Sequence, residues 1–266
     1  MRRAELPRQH AGGAPEEASE KAREKDFEKT RKENAGKSRE ASEATQAAAV
    51  SASADSGAAN LSASANSNVS ADLSATGISI QDQFVSAAEV FALRECARTR
   101  GSRGEFAPAR VGRQGEERRR ENIRGDFTCW LSAPLLPPER LLLERMEELR
   151  LQLNRDAFLG LFELELHYAR YPAGAAYSRH VDQPLGSTQR RLSLVLYLNP
   201  GWQSTDGGVL RIHHEDERFV DVEPIAGRLV CFLTAGRIHE VLEARCERLG
   251  VSGWFRGREY SGASTR

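Results

Sequence analysis

The chain has 266 residues, and its 38 Lys and Arg residues balance its 38 Asp and Glu residues, so the formal net charge is zero. A chain of this length predicts one domain with or without appended segments. The neutral balance gives no general attraction to nucleic acid or to an anionic membrane. No stretch is long and apolar enough for a bilayer span, and the N-terminus lacks the apolar core of a secretory signal. We therefore expect a soluble intracellular protein, cytoplasmic or, in a eukaryote, nuclear.

Composition changes sharply near residue 80. Before that point Trp and Tyr are absent and Phe27 is the only aromatic residue. The first part mixes both charges without an apolar stripe, and residues 47–76 are rich in Ala, Ser, Asn and Gly. Because so little apolar surface cannot offset the entropy of ordering, we predict a disordered tail over residues 1–80. The alternative interpretation is that this tail binds a partner. The predicted domain covers residues 81–258, followed by a flexible C-terminus over 259–266.

Two helices are predicted at the start of the domain. The segment FVSAAEVFALRECART places four apolar residues near helical spacing. These are Phe84, Ala88, Phe91 and Leu93. The segment PPERLLLERMEELRLQLN predicts a second helix, with Pro137 and Pro138 at its start. Between them, residues 101–123 are predicted to form a long solvated loop. Its Arg run has no interleaved aromatic residues after Phe106, which argues against a nucleic-acid site.

Eight short strands separated by turn residues are predicted after Leu159. In chain order they are FELELHYARY, AYSRHVDQP, RRLSLVLYLNP, GGVLRIHH, RFVDVEP, GRLVCFLT, HEVLEA and RLGVSGWFR. This order favours a mostly β protein with some α structure, a double-sheet jelly roll buttressed by N-terminal helices.

The strand RLSLVLYL alternates regularly, which separates its side chains into two sets. The set predicted to pack against the helices is Leu192, Leu194, Leu196 and Leu198. The set predicted to face the interior of the barrel is Ser193, Val195 and Tyr197.

Three residues from two distant segments of the sequence indicate a metal site. His180 and Asp182 have the spacing i, i+2, which on a strand puts both side chains on one face. His239 opens a later strand, where a jelly roll returns beside its earlier strands. Two imidazoles and one carboxylate on one face leave three octahedral positions open, the arrangement typical of non-haem Fe(II) oxygenases. By contrast, we interpret His167 as structural, and adjacent His213 and His214 cannot bind one metal from the same side.

A buried cation is expected to anchor the far carboxylate of 2-oxoglutarate. Arg248 lies at the start of the last strand, nine residues after His239 (248 − 239 = 9). A guanidinium holds a carboxylate through two parallel hydrogen bonds and keeps its charge in a cavity. Alternation predicts that Ser252 and Trp254 point inward with Arg248. The hydroxyls of Tyr177 and Tyr197 are further candidate donors to the co-substrate.

Residues from about 84 to 256 resemble the prolyl 4-hydroxylase branch of the 2-oxoglutarate/Fe(II) oxygenases, in particular the hypoxia-inducible-factor prolyl hydroxylases and their bacterial relatives. The matching segments include IRGD at residues 123–126, YSRHVDQP at 177–184, GGVLRI at 207–212 and VDVEP at 220–224.

The resemblance implies the fold called a double-stranded β-helix and iron ligation by His180, Asp182 and His239. It also implies roles for residues at the co-substrate and at the substrate. Expected 2-oxoglutarate contacts are Arg248, Tyr197, Tyr177, Tyr171 and Leu210, together with the inward-facing Ser252 and Trp254. Arg190 matches a substrate-contacting arginine of the family.

The expected activity is hydroxylation of a prolyl residue in a protein, with Fe(II), 2-oxoglutarate and O2 as cofactor and co-substrates and ascorbate as a candidate accessory reductant. Succinate and CO2 are the expected co-products. Two alternatives remain open, a hydroxylase of a free amino acid or small metabolite, and a non-catalytic module that binds 2-oxoglutarate or metal. The expected partner is a proline-containing protein or peptide, with neither nucleic acid nor membrane involved. The sequence does not specify an oligomeric state.

Overall fold

The computed structural model describes residues 69–110, 123–183 and 189–258. The helices are residues 69–76 (α1), Ala87–Ser102 (α2) and Pro137–Asp156 (α3). The strands are Ile78–Gln81 (β1), Ala107–Pro108 (β2), Phe127–Trp130 (β3), Leu161–Tyr171 (β4), Tyr177–His180 (β5), Arg190–Tyr197 (β6), Leu210–His213 (β7), Phe219–Val222 (β8), Leu229–Leu233 (β9), His239–Val241 (β10) and Arg248–Gly257 (β11). None of the described helices is both long enough and apolar enough to cross a membrane.

The strands form two antiparallel sheets. The large sheet has the order β1-β9-β6-β11-β4-β3-β2, and the small sheet has the order β5-β10-β7-β8. All eight predicted strands are present, as β4 to β11, and the expectation of a mostly β jelly roll with N-terminal helices is confirmed. The central strands β4, β6 and β11 are long, and they carry most of the inner wall on which a site can be built.

The two faces of β6 are divided as the sequence predicts. Leu192, Leu194, Leu196 and Leu198 lie in a buried cluster with apolar residues of all three helices. Tyr197 and Val195 belong to a second cluster between the sheets. At Gly253 of β11, an added Cβ would overlap the carbonyl oxygen of Glu165, so glycine lets β11 approach β4 closely.

The helix α2 begins at a capping box in which Ser86 accepts a hydrogen bond from the amide of Glu89. Phe84 therefore lies before the helix, although it is buried. The predicted apolar face was partly wrong, because Phe91 is 63% exposed and Ala88 is exposed. The buried stripe runs instead through Val90, Leu93, Cys96, Ala97 and Arg100. The second helix, α3, begins at Pro137 as predicted.

The predicted boundaries at the N-terminal side need two corrections. Residues 69–76 are helical and β1 pairs with β9, so the domain starts before residue 81. Val69 and Leu73 are buried in the same cluster as the leucines of β6, and this burial stabilises α1. The predicted loop 101–123 is interrupted by the end of α2 and by β2. Three segments lie outside the described residues: the remainder of that loop (111–122), residues 1–68 of the tail that was predicted over 1–80, and the C-terminus 259–266.

A buried ion pair joins α2 to α3. The Arg100 guanidinium donates through Nε to Glu139 Oε1 at 2.6 Å and through a terminal nitrogen to Oε2 at 2.7 Å. The Glu139 side chain is 0% exposed. Burial alone would raise the pKa of Glu139, but the hydrogen bonds from Arg100 and from the Leu136 amide lower it below its ordinary value. The carboxylate is thus held ionised between the helices.

Substitution Glu139→Gln is expected to lower the free energy of unfolding by about 3–5 kcal/mol, because it removes the fully buried carboxylate that pairs with Arg100 and leaves the guanidinium only the partly exposed carboxylate of Glu105. Denaturant unfolding measures this, with Glu147→Gln as the matched control. Glu147 pairs with Arg150 at a half-exposed site on the same helix, where about 1 kcal/mol or less is expected. Since the folded pKa of Glu139 is depressed, its contribution is present above its ordinary pKa and is lost as the pH falls through the folded value. Equal losses for the two variants would contradict this account.

Candidate active site

Two histidines face each other across the β5–β10 pair of the small sheet. His180, the last residue of β5, is the direct partner of His239, the first residue of β10. Their ring centroids are 4.1 Å apart. His180 and His239 lie 59 residues apart in the chain (239 − 180 = 59), and the antiparallel register places their imidazoles side by side.

Asp182 completes the triad from the bend that follows β5. Its Oδ1 lies 3.6 Å from Nε2 of His180, and its Oδ2 lies 3.4 Å from Nε2 of His239. Ligand atoms bound to one ion at bond lengths of about 2.1 Å lie about 3 Å apart when they occupy adjacent positions. The three groups are thus spaced as the ligands of a single metal ion would be.

The hydrogen bonds of the two histidines select the tautomer that a metal requires. Nδ1 of His180 lies 2.8 Å from the carbonyl oxygen of Ser178, and Nδ1 of His239 lies 3.1 Å from that of Arg237. A carbonyl can only accept, so each Nδ1 carries a hydrogen, and in the neutral imidazole each Nε2 therefore has a free lone pair. Both Nε2 atoms point toward Asp182, and this arrangement fits a divalent metal ion.

The electrostatics of the triad also favour a cation. Burial alone would raise the pKa of Asp182, but the neighbouring His239 and His180 hold it well below its ordinary value. Burial lowers the pKa of His180. At His239 burial acts in the same direction, and the Asp182 carboxylate outweighs it and raises the pKa. The Asp182 carboxylate is therefore ionised and largely desolvated, as a candidate metal ligand should be.

A single buried guanidinium lies on the opposite sheet. Arg248 is 2% exposed and begins β11, where the next amide, that of Leu249, donates to Asn199 Oδ1 at 2.7 Å. Its Cζ lies 4.9 Å from the ring centroid of Tyr171 and 5.0 Å from that of Tyr197. The rings fix the guanidinium from two sides but supply no negative charge to it.

Several polar atoms around Arg248 have no partner within the described residues. Nε of Arg248 and the hydroxyl of Tyr197 are buried without a hydrogen bond. Burial raises the pKa of Tyr197, so its phenol keeps its proton. Because an unsatisfied buried donor is costly, a cation and a hydroxyl left together in this way fit a carboxylate ligand. This part of the site therefore suits the far end of 2-oxoglutarate.

The triad and Arg248 open into one cavity of about 500 Å³, counting its mouth. The structure brings almost all of the predicted site residues to this cavity. Those in its wall are His180, Asp182, His239, Arg248, Tyr177, Tyr171, Leu210, Ser252 and Trp254. Tyr197 stands behind the wall, against Arg248. The ring of Tyr177 stacks on His180 with centroids 3.5 Å apart.

Aromatic and charged side chains lie around Trp254, which is part of the cavity wall. The Arg190 guanidinium lies 3.4 Å from the ring centroid of Trp254 and pairs with Glu165 at 3.3 Å. Trp130 is 49% exposed, and its ring centroid is 6.4 Å from that of Trp254. An exposed tryptophan beside a stacked guanidinium provides an apolar and cationic surface next to the triad.

Sequence reasoning missed three residues of this site. Ser193 donates a hydrogen bond to Asp182 at 2.8 Å, and Arg124 lies over Tyr177 with its Cζ 4.7 Å from the ring centroid. His167, interpreted from the sequence as structural, is in the cavity wall, and burial lowers its pKa to about 3. For Ser193, the sequence signal was the alternation of β6, which predicts that its side chain faces the interior. For the other two, the sequence contains no ligand spacing that could have found them.

Comparison with known proteins agrees with this geometry. Residues 166–256 match the family described as the 2OG-Fe(II) oxygenase superfamily. A prolyl-4-hydroxylase of Pseudomonas putida is 43% identical, with a TM-score of 0.67, and the match covers 73% of this chain and 100% of that one. Human Egl nine homolog 1 is 30% identical over 189 residues, covering 67% of this chain and 43% of the human protein.

A third relative, mouse prolyl hydroxylase EGLN3, is 35% identical over 146 residues, covering 51% of this chain and 60% of the mouse protein. The chain thus spans about half the length of the curated relatives that it matches. The family match contains strands β5 to β10 and all three residues of the triad, and the bacterial relative is matched over its full length. The chain therefore belongs to the 2OG-Fe(II) oxygenase superfamily and is a homologue of its prolyl hydroxylases.

Proposed function

We propose that the protein is a 2-oxoglutarate- and Fe(II)-dependent dioxygenase that hydroxylates a prolyl residue in a protein or peptide. The observation that carries the proposal is the convergence of His180, Asp182 and His239 in one cavity with the partnerless Nε of Arg248. A metal triad alone would suit many hydrolytic or structural sites. The buried cation on the facing sheet distinguishes a site for a metal together with a dicarboxylate.

In this proposal the triad binds Fe(II) through Nε2 of both histidines and through the Asp182 carboxylate. When bound, Fe(II) supplies the activation of O2, coupled to the conversion of 2-oxoglutarate to succinate and CO2, with one oxygen atom entering succinate and the other the substrate. The chain's own contribution at this end is orientation. The Nδ1 hydrogen bonds to backbone carbonyls fix the imidazoles, and the Tyr177 ring covers one face of His180.

Arg248 and Tyr197 bind the far carboxylate of 2-oxoglutarate in this proposal. The guanidinium offers parallel donors, and the protonated phenol adds a third. Tyr171 covers the guanidinium from the other side, while Leu210 and Val241 supply apolar wall. A carboxylate held in a buried pocket excludes water and positions the keto-acid end toward the triad.

The open end of the cavity is assigned to the substrate. Trp130, Trp254 and Arg190 form an aromatic and cationic surface that suits the flat apolar ring of a prolyl residue and the backbone on either side of it. Two of the proteins to which the chain is similar carry the name prolyl hydroxylase. The exposed Trp130 next to this surface favours a peptide over a free amino acid, which needs a closed pocket.

The proposal is tested by incubating the protein with Fe(II), 2-oxoglutarate, O2 and a library of proline-containing peptides. We expect a mass increase of one oxygen atom on a prolyl residue and a matching amount of succinate. The control is the same incubation with a chelator in place of Fe(II). Succinate formation stimulated only by free amino acids or small metabolites would replace the peptide assignment. Binding of 2-oxoglutarate without any succinate under all conditions would indicate a non-catalytic module.

A further inference from the structure

The third candidate metal ligand is held differently from the other two. His180 and His239 are members of paired strands and are direct partners. Asp182 lies in a bend two residues beyond the end of β5, outside the strand pairing. A side chain beyond a strand end needs other contacts if its carboxylate is to stay at the ligand position, because the ladder no longer fixes its backbone.

Those contacts come from β6 of the facing sheet. Ser193 Oγ donates to Asp182 Oδ2 at 2.8 Å. A terminal nitrogen of Arg190 donates to the carbonyl oxygen of Asp182 at 3.1 Å. The bond from Ser193 holds the carboxylate, and the bond from Arg190 holds the backbone. Residues of the large sheet therefore fix a candidate ligand that follows a strand of the small sheet.

Ser193 is itself oriented by a second hydroxyl. Its Oγ lies 3.1 Å from Oγ1 of Thr234, and the two residues are 1% and 0% exposed. A hydroxyl has one hydrogen, and Ser193 gives that hydrogen to a carboxylate that can only accept. The Thr234 hydroxyl therefore donates to Ser193, and the hydrogen bonds run from Thr234 through Ser193 to Asp182. Bonds connected in this way polarise and strengthen one another.

We propose that Ser193, supported by Thr234, is a positioning residue that fixes the Asp182 carboxylate for metal binding. The inference rests on the proposed function, because it requires that the triad binds a divalent metal ion. With Oδ2 held by Ser193, the carboxylate cannot rotate freely, and Oδ1 stays directed toward His180. Contacts of this kind behind a metal ligand change metal affinity by about 10–100-fold.

The test uses Co(II) as the probe and the full chain freed of metal, with affinity measured by calorimetry. Ser193→Ala is expected to weaken Co(II) binding by about 10–100-fold. Ser79→Ala is the matched control, because Ser79 also donates to an aspartate, Asp72, at 2.8 Å from a buried position. That bond lies against α1, outside the cavity, so Ser79→Ala is expected to leave Co(II) affinity within about twofold.

A second pair of variants keeps the inference testable if Ser193→Ala does not fold. Thr234→Val removes the hydroxyl with little change of shape, and Thr234→Ser retains it. We expect the valine variant to lose several-fold in Co(II) affinity and to shift the visible absorption bands of bound Co(II), while the serine variant matches the parent. A purely structural role would lower the stability of the metal-free chain and leave both readouts unchanged.

The outcomes separate this inference from the proposed function. If the parent chain does not bind Co(II), the metal triad itself is wrong, and both proposals fall. If the parent binds Co(II) and the folded Ser193→Ala and Thr234→Val variants bind it within about twofold, only the positioning role is overturned.

Discussion

Substitution of His180 by alanine is expected to abolish tight metal binding and to reduce succinate formation from 2-oxoglutarate to background. The reason is that a catalytic site with open positions ordinarily uses three protein ligands, and this variant retains only two, Asp182 and His239. Calorimetric titration with Co(II) and chromatography of succinate measure the two effects separately.

The control for this variant is His214→Ala. His214 lies just beyond the end of β7, where its Nδ1 is near Arg237 and away from the cavity wall. The substitution His214→Ala is expected to leave Co(II) binding and succinate formation unchanged. Near-normal succinate release from the His180 variant, with the control also active, would remove His180 from the metal site.

Substitution of Arg248 by alanine is expected to raise the concentration of 2-oxoglutarate needed for half-saturation by at least about 30-fold. Removing one partner of a buried, hydrogen-bonded charge pair costs about 2–5 kcal/mol, and each 1.4 kcal/mol corresponds to a factor of ten. Metal affinity should change little, because Arg248 does not contact the triad. Saturation curves for 2-oxoglutarate and a parallel Co(II) titration distinguish the two effects.

Two further variants test this prediction: Arg248→Lys as a conservative replacement and Arg211→Ala as a control. Lysine keeps the charge but loses the planar fork, so a smaller increase is expected than for alanine. Arg211 pairs with Asp221 on the small sheet at 2.7 Å and lies outside the cavity wall. Its removal tests whether loss of any positive charge weakens 2-oxoglutarate binding. A parent-like saturation curve for Arg248→Ala would place the co-substrate anchor elsewhere.

The sheet-forming half of the fold could be predicted from the sequence because its alternation is regular and its turns contain Pro, Gly, Asn and Asp. The N-terminal edge of the domain could not be predicted in this way. Val69 and Leu73 are two apolar residues in an Ala- and Ser-rich segment, and α1 is held by burial against the other helices. On α2, the spacing of Phe91 and Leu93 predicted a helix but not which side chains are buried, and the helix turns Val90 and Leu93 to the core and leaves Phe91 exposed.

The candidate triad was predicted from an H-x-D spacing read as a strand, but only His180 belongs to β5, and Asp182 lies in the bend that follows it. The residues around the triad depend on strand register, which the sequence does not show. His167 reaches the cavity because β4 pairs with β11 on one side and with β3 on the other, so that His167 stands between Ser252 and Trp130. Thr234 reaches Ser193 only because β9 lies beside β6.

The division of the site between two sheets has a consequence for the choice of keto acid. The imidazoles come from the four-stranded sheet, while the guanidinium of Arg248 comes from the seven-stranded sheet. Sheets packed face to face lie about 10 Å apart. A diacid that contacts both sheets must be long enough to span the distance between them, so this distance selects the length of its carbon chain. A diacid too short to span it would leave one carboxylate short of the guanidinium.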